Sequence, residues 1–243
     1  MKPSHIREAD WKLLKAKYKD MDKVIKKLNQ KYPVQYLIGN VNFYGYILNV
    51  NRHVLIPRFE TETLLEKTMQ YIQQYHFENS NVLDIGTGSG CIAIVLKKEI
   101  PTLKITAIDI SSSALRVARK NAKKNKAEIH FIHKDMKKYK PMNKYSVIIS
   151  NPPYIDLSEE IDPQTKYEPS IALYAKNNGL AYYEYILSHA YSLLEEKFLM
   201  AFEIGENQGE DLQKMALEYF PQASIRIEKD LAHKNRYLFI IHE

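Results

Sequence analysis

The segment SVIISNPPYID, residues 146–156, carries an apolar run straight into Asn151-Pro152-Pro153-Tyr154. Two successive prolines remove two backbone donors and lock two φ angles, and each turns the residue before it away from helical geometry. The result is a stiff, extended loop that holds a primary amide, carbonyls and a phenol still. An ordinary turn needs none of this; a site that presents fixed hydrogen-bond acceptors to a ligand does. A second segment of this kind, LDIGTGSGC, lies upstream, with Gly86, Gly88 and Gly90 at alternate positions. Glycines there let the chain turn tightly and pass close to a ligand.

The glycine loop departs from the dinucleotide fingerprint G-x-G-x-x-G, whose third glycine would fall on Cys91. Asp84, just ahead of the loop, would repel a pyrophosphate and would instead suit an ammonium group. Asp109 ends the next strand, 25 residues on, with two oxygens for a pair of ribose hydroxyls. Asp135 and Met136 close the third strand, where an adenine edge and face would lie. Alone, Asp109 and Asp135 read equally as helix caps or solvated loop residues. In order, on successive strand ends, Asp84, Gly86, Thr87, Gly88, Ser89, Gly90, Asp109, Asp135 and Met136 resemble the methyl-donor site of the Rossmann-like methyltransferases. That resemblance implies S-adenosylmethionine as cofactor and S-adenosylhomocysteine as product.

The Asn-Pro-Pro-Tyr stretch in turn resembles the (Asp/Asn)-Pro-Pro-(Tyr/Phe/Trp) motif of amino-methyltransferases, which act on nitrogens conjugated to a π system. Such a nitrogen shares its lone pair and is a poor nucleophile. The Asn151 side-chain oxygen and the Pro152 carbonyl would grip its N–H groups, and that grip strengthens as positive charge develops on nitrogen. Tyr154 would stack on the planar group. No strong general base is needed, because the methylated nitrogen is briefly cationic and sheds its proton readily. Asn151, Pro152 and Tyr154 are the expected catalytic residues; Asn151 also borders the donor, and Pro153 completes the substrate loop. His130 and His133 have no third ligand nearby, so they read as structural and no metal is expected.

These loops need a scaffold that delivers them to one edge. Residues 81–243 alternate strand and helix: NVLDIG, LKITAID, AEIHFIH and YSVIIS read as strands, with helices between, and SIRIEKD with RYLFIIH as a closing hairpin. This pattern predicts an α/β fold of the Rossmann-like, class I methyltransferase kind: a mostly parallel sheet, helices on both faces and an antiparallel hairpin at one side. Ligands sit at the carboxyl ends of such strands. Residues 34–80 read as a linking hairpin within 41–56, turning at Gly45 or at Asn49–Asn51, and a helix opening at Pro57 with acidic residues at its positive end.

The first 33 residues form a basic arm. Trp11, Leu14, Tyr18, Met21, Ile25, Leu28 and Tyr32 recur at spacings of 3 and 4, one apolar stripe on one helix or on two that bend near Asp20, and Pro33 ends it. The arm carries ten Lys/Arg against four Asp/Glu, which accounts for the whole net charge of +6. That excess reads either as a solvated helix face or as a weak contact with RNA or the ribosome. The rest of the composition, 45% hydrophobic and 26% charged, is that of a globular chain. One cysteine leaves no internal disulfide. No apolar run reaches membrane-spanning length and the first residues lack a signal-peptide core, so a cytoplasmic monomer is expected.

Four separated segments then agree in order: PVQYLIGNVNFYGYILNVNRHVLIPRFETETLLE, VLDIGTGSGCIAI with SNPPYI, YEPSIALYAKNNGL, and EIGENQGE. Together they resemble the HemK/PrmC family, the protein-(glutamine) methyltransferases of peptide chain release factors, over residues 33–243. The resemblance implies methyl transfer to the side-chain amide nitrogen of the glutamine in a Gly-Gly-Gln loop of class-1 release factors. It implies that Arg58, Glu62 and Glu168 lie around the glutamine entrance; Glu62, like Thr61, also reads as a helix cap and Glu168 as a loop staple. Three departures stand out: Phe59 replaces a proline, His233 stands where a glycine is usual, and the arm is about half the length of the helical domain such proteins carry. The alternatives are methylation of an exocyclic amine on a nucleic-acid base, and a non-catalytic ribosome-associated module.

Overall fold

A computed structural model describes residues 2–243. The arm bends where its charge pattern allows. Helices α1 (Glu8–Lys17) and α2 (Met21–Asn29) are separated at Asp20, whose carboxylate caps α2 by accepting from the amides of Asp22 and Lys23. Trp11, Leu14 and Leu28 of the expected stripe are buried together with Val24, and Tyr18, Met21, Ile25 and Tyr32 pack half-buried against them. Pro33 does not merely end the arm; it opens a short helix, α3 (Val34–Ile38), as suits a residue with a preset φ and no donor to lose. Leu37 joins Ile6, Trp11, Leu14, Val24 and Leu28 in one small core, so the arm's packing unit runs past residue 33.

The hairpin is β1 (Asn40–Phe43) and β2 (Tyr46–Asn49), with its turn at Tyr44–Gly45. Asn49 belongs to the strand: its backbone and side chain pair with the buried Asn121 amide. Helix α4 (Phe59–Gln74) follows, with Glu60 and Glu62 in its first turn. The alternating body then runs β3 (Asn81–Ile85), α5 (Cys91–Glu99), β4 (Lys104–Asp109), α6 (Ser112–Asn125), β5 (His130–His133) and β6 (Tyr145–Ser150). Two two-residue strands, β7 (Ile155–Asp156) and β8 (Tyr174–Ala175), clasp an excursion between them. The chain closes with α7 (Ala181–His189), β9 (Leu194–Glu203), α8 (Gly209–Tyr219), β10 (Ser224–Lys229) and β11 (Asn235–His242).

The seven-stranded sheet has the order β10-β11-β9-β6-β3-β4-β5. Strands β9, β6, β3, β4 and β5 are mutually parallel, and β11 is antiparallel to β9 and β10. The expected parallel sheet with a closing hairpin is what the chain forms. Alternate residues of the central strands feed opposite cores: Val82, Val147, Ile149 and Ala201 pack toward α4 and α5, while Leu83, Ile148, Met200 and Phe202 pack toward α7 and α8. Burial on both faces is why these strands read as continuous apolar runs. From β3 the chain proceeds outward to β5 and then returns to place β6 on the other side of β3. The carboxyl ends of β3 and β6 therefore flank the switch point where a crevice opens.

Candidate active site

A cavity of about 310 Å³ opens at that switch point. Gly86 and Gly88 from the loop after β3, Asp109 and Ile110 after β4, Asp135 and Met136 after β5, and Asn151, Pro152 and Pro153 after β6 all line it. Four strand ends thus converge on one wall. Val54, Leu55, Ile171 and Ala172 line it as well, without having been singled out in the sequence, and so does Pro169 of the loop expected around the entrance.

The glycines divide by task. Gly86 has φ +73° and a Cβ there would meet nothing within 4 Å, so the backbone lies against open space. A Cβ on Gly90 would stand 3.1 Å from the Ala118 Cβ and 3.2 Å from Ile94 Cδ1, so Gly90 serves the packing of α5 on α6. Thr87 and Ser89 are buried behind the wall rather than on it. The Thr87 hydroxyl donates to Asp84 Oδ2 at 2.6 Å. Asp84 itself is fully buried and does not reach the cavity surface, and among the described residues its Oδ1 has no hydrogen-bond partner. Burial pushes its carboxyl up to about 7, with the Asp109 charge adding to that and the Thr87 hydroxyl opposing it.

Asp109 lies on the wall, its Oδ2 accepting from the Gly88 amide at 2.9 Å and its Oδ1 from the Ser111 amide at 2.7 Å. Burial raises its carboxyl above the usual range, against the pull of those two amides. Each oxygen keeps a lone pair for a further donor. Asp135 accepts from the Lys137 amide at 3.0 Å and starts the turn that carries Met136. The site fits S-adenosylmethionine on two counts: an open glycine cradle and a wall carboxylate with spare acceptor capacity.

The Asn151 side chain is anchored by its nitrogen: Nδ2 donates to Thr61 Oγ1 at 3.1 Å, and Thr61 Oγ1 donates to Glu203 Oε2 at 2.6 Å. Tyr154 Oη donates to the other oxygen of Glu203 at 3.2 Å. Glu203, the last residue of β9, and Thr61, in the first turn of α4, are each 2% exposed. Burial raises the Glu203 carboxyl above its ordinary range, while Thr61, Arg236 and Tyr154 draw it back and Glu60 adds to the rise. The Tyr154 carbonyl accepts from Gln208 Nε2 at 3.0 Å, and Gly179 packs so closely there that a Cβ would fall 2.0 Å from that carbonyl. Thr61, Glu203 and Gln208 carried no assigned role. The signal for Glu203 was an acid closing the buried run FLMAFE.

Three residues expected at the entrance behave as braces. Glu62 Oε1 accepts from the Tyr44 amide at 2.8 Å, which fixes the hairpin turn and takes it away from the cavity. Arg58 pairs with Glu168, whose other oxygen accepts from the Ile56 amide at 2.9 Å. Neither Arg58 nor Glu168 lines the cavity; their neighbours Leu55 and Pro169 do. His133 is hydrogen-bonded to the Ile110 carbonyl at 2.8 Å. Among the described residues no cluster of His, Cys, Asp and Glu is arranged to hold a metal ion.

Residues 60–165 match the family described as Methyltransferase small domain. The release factor glutamine methyltransferase of Enterococcus faecalis is 41% identical over 208 residues, covering 84% of this chain and 74% of that protein. The chain belongs to the release factor glutamine methyltransferase family. Among solved structures, the protein-(glutamine-N5) methyltransferase (release factor-specific) from Alicyclobacillus acidocaldarius matches 81% of this chain and 99% of its own, with a TM-score of 0.51 at 23% identity. A Thermus thermophilus 16S rRNA N2 G1207 methyltransferase in complex with AdoMet and guanosine matches 84% of this chain and 50% of its own, with a TM-score of 0.61 at 13% identity. Both share the fold. This family member is a methyltransferase, and S-adenosylmethionine is its cofactor.

Proposed function

We propose that this chain transfers a methyl group from S-adenosylmethionine to the side-chain amide nitrogen of the glutamine in the Gly-Gly-Gln loop of class-1 peptide chain release factors. The observation that carries the reading is the pairing of Asn151 and Pro152 on the cavity wall, with the Asn151 nitrogen already engaged by Thr61. That leaves the Asn151 oxygen and the Pro152 carbonyl as two acceptors for the two N–H groups of a primary amide.

When bound, S-adenosylmethionine supplies an electrophilic methyl group on a sulfonium centre. In this reading Gly86, Gly88, Asp109, Asp135 and Met136 hold it, with Asp109 taking the ribose hydroxyls and Met136 the adenine face. Asp84 acts from behind the glycine loop. Asn151 and Pro152 orient the glutamine nitrogen and favour its loss of planarity, since their oxygens gain from positive charge developing there. The prolines hold that geometry without reorganisation, so most of the rate gain comes from alignment. Tyr154, expected as a stacking surface, does not line the cavity; its ring packs on the core beside α7 and its hydroxyl reaches Glu203, so in this reading it braces the loop. Its hydroxyl is pushed far above its ordinary range by burial and by Glu203, so it stays protonated and takes no proton from the amide. Arg58, Glu62 and Glu168 shape the entrance through the loops they brace.

The partner is a class-1 release factor, which places the reaction in the cytoplasm, and the chain acts as a monomer. No helix among the described residues is long and apolar enough to cross a membrane. The arm's exposed Lys12, Lys15, Lys19 and Lys26 give it a basic face suited to weak contact with RNA or the ribosome.

The test is mass spectrometry of an unmethylated release factor incubated with the enzyme and labelled S-adenosylmethionine, beside the same factor with its loop glutamine changed to alanine. Methyl gain confined to the loop glutamine is expected. Asn151→Ala is expected to keep donor binding and lose turnover by about 100-fold or more, the scale for removing a preorganised dipole. Label on nucleic acid instead of the factor, or unchanged turnover in Asn151→Ala, overturns the reading.

A further inference from the structure

A terminal amide has two ends that look alike in shape and are opposite in function. Turned one way, Asn151 offers the cavity an acceptor; turned the other, it offers an NH2 group that would face the NH2 of a substrate amide, donor against donor. Nothing in the Asn-Pro-Pro-Tyr loop itself decides between them. The choice is made one layer deeper, by a chain of hydrogen bonds with a fixed direction.

The chain starts at Glu203. Its carboxylate has Thr61 Oγ1 2.6 Å from Oε2 and Tyr154 Oη 3.2 Å from Oε1. In its ionised form, which Thr61, Arg236 and Tyr154 favour against burial, Glu203 only accepts. The Thr61 hydroxyl has one proton, and that proton is committed to Glu203. Toward Asn151, 3.1 Å away, Thr61 therefore has only lone pairs to present. Asn151 must turn its nitrogen to Thr61, and its oxygen is left for the cavity. The reverse orientation would set two acceptors against each other at Thr61 and strand a polar pair where Thr61 and Glu203 are each 2% exposed, beyond the reach of solvent repair. The strands make this contact possible: Ser150 of β6 pairs with Phe202 of β9, so the next residue on each is Asn151 and Glu203. Helix α4 inserts Thr61 between them.

We propose that Thr61, locked by Glu203, is a positioning residue that sets which end of the Asn151 amide faces the substrate nitrogen. The same carboxylate fixes the Tyr154 hydroxyl, so one buried acid aligns both the acceptor and the ring. This inference rests on the role assigned above to Asn151 and adds residues that touch neither substrate nor donor.

The test compares wild type with Thr61→Val, which keeps the shape and removes the hydroxyl, and Thr61→Ser, which keeps the hydroxyl. Steady-state kinetics on a release factor and donor affinity by calorimetry are measured for each, alone and combined with Asn151→Ala. The expected result for Thr61→Val is a fall in kcat of about tenfold or more, the size of a lost orienting hydrogen bond, with donor Kd within about twofold of wild type. Thr61→Ser restores kcat, and Thr61→Val adds no further loss in the Asn151→Ala background. If valine is not tolerated in the fold, Thr61→Ala replaces it. A kcat loss clearly below tenfold for Thr61→Val overturns the proposal, as does an equal loss for Thr61→Ser or independent losses in the double variant. If Asn151→Ala itself keeps full turnover, the functional reading falls; if Asn151→Ala is crippled and Thr61→Val is not, only this inference falls.

Discussion

Asp84 is buried at full depth with one oxygen unpartnered, and its carboxyl is held at about 7 against an ordinary 3.8. Asp84→Asn removes the charge and keeps the shape. The sign follows from proton counting. The native state keeps a proton that the unfolded chain has lost, so Asp84's contribution to stability falls as pH rises between about 3.8 and 7 and stays at its minimum above 7. At 1.36 kcal/mol per pH unit the full cost is about 4 kcal/mol. The neutral acid leaves one O–H unpartnered and the asparagine amide an NH2 group, so the two proteins come nearest in stability at low pH. Asp84→Asn is expected to stabilise the donor-free enzyme by about 4 kcal/mol at pH 8 and by less than half that at pH 5. For a chain of this size that is a rise in Tm on the order of 10 °C at pH 8. Thermal melts of both proteins at the two pH values isolate this group and its coupling to Asp109, because titrations remote from the two cancel in the difference. A Tm change equal at pH 5 and pH 8, or a wild type more stable at pH 8, would refute the reasoning. The same substitution is expected to weaken donor binding, so stability is traded for function at this one carboxylate.

Two further outcomes follow from close packing and bracing. Gly179→Ala drives a Cβ into the Tyr154 carbonyl and Gln208 Nε2 at a backbone φ of +82°; a stability loss of about 2 kcal/mol or more is expected, together with lost turnover, read by urea denaturation and kinetics. Arg58→Ala leaves the buried Glu168 carboxylate with only the Ile56 amide as partner; amide exchange across residues 168–172 should accelerate and donor Kd should rise, while kcat at saturation changes little.

The sheet was legible because its central strands are buried on both faces and so announce themselves as apolar runs, and because glycines, aspartates and the Asn-Pro-Pro-Tyr loop sit at their ends. The wall residues of the cavity followed from that order: Gly86, Gly88, Asp109, Asp135, Met136, Asn151, Pro152 and Pro153 all reach it. What was not legible depends on side-chain direction across long sequence separations. Glu62 and Thr61 are neighbours on α4, yet one clamps a hairpin turn and the other meets Glu203, 142 residues away. Period alone cannot say which of two polar neighbours on a helix start turns inward. Asp84 shows the same limit, since a strand-end aspartate reads identically whether it borders a cavity or is sealed behind its wall. Val34–Ile38 was missed because five residues are too few to display a helical period.

The clasp formed by Ile155 with Tyr174 and Asp156 with Ala175 joins the two ends of a long surface excursion directly after the Asn-Pro-Pro-Tyr loop. With its ends pinned, the excursion is a closed loop in the polymer sense, and doubling such a loop costs only about 0.6 kcal/mol. Its tip is thus free to lengthen, shorten or change composition over evolutionary time at little thermodynamic cost, provided Glu168 keeps its bond to Arg58. Residues 157–167 can therefore vary without moving the strand end that bears Asn151, while Pro169, Ile171 and Ala172 stay tied to the cavity they line.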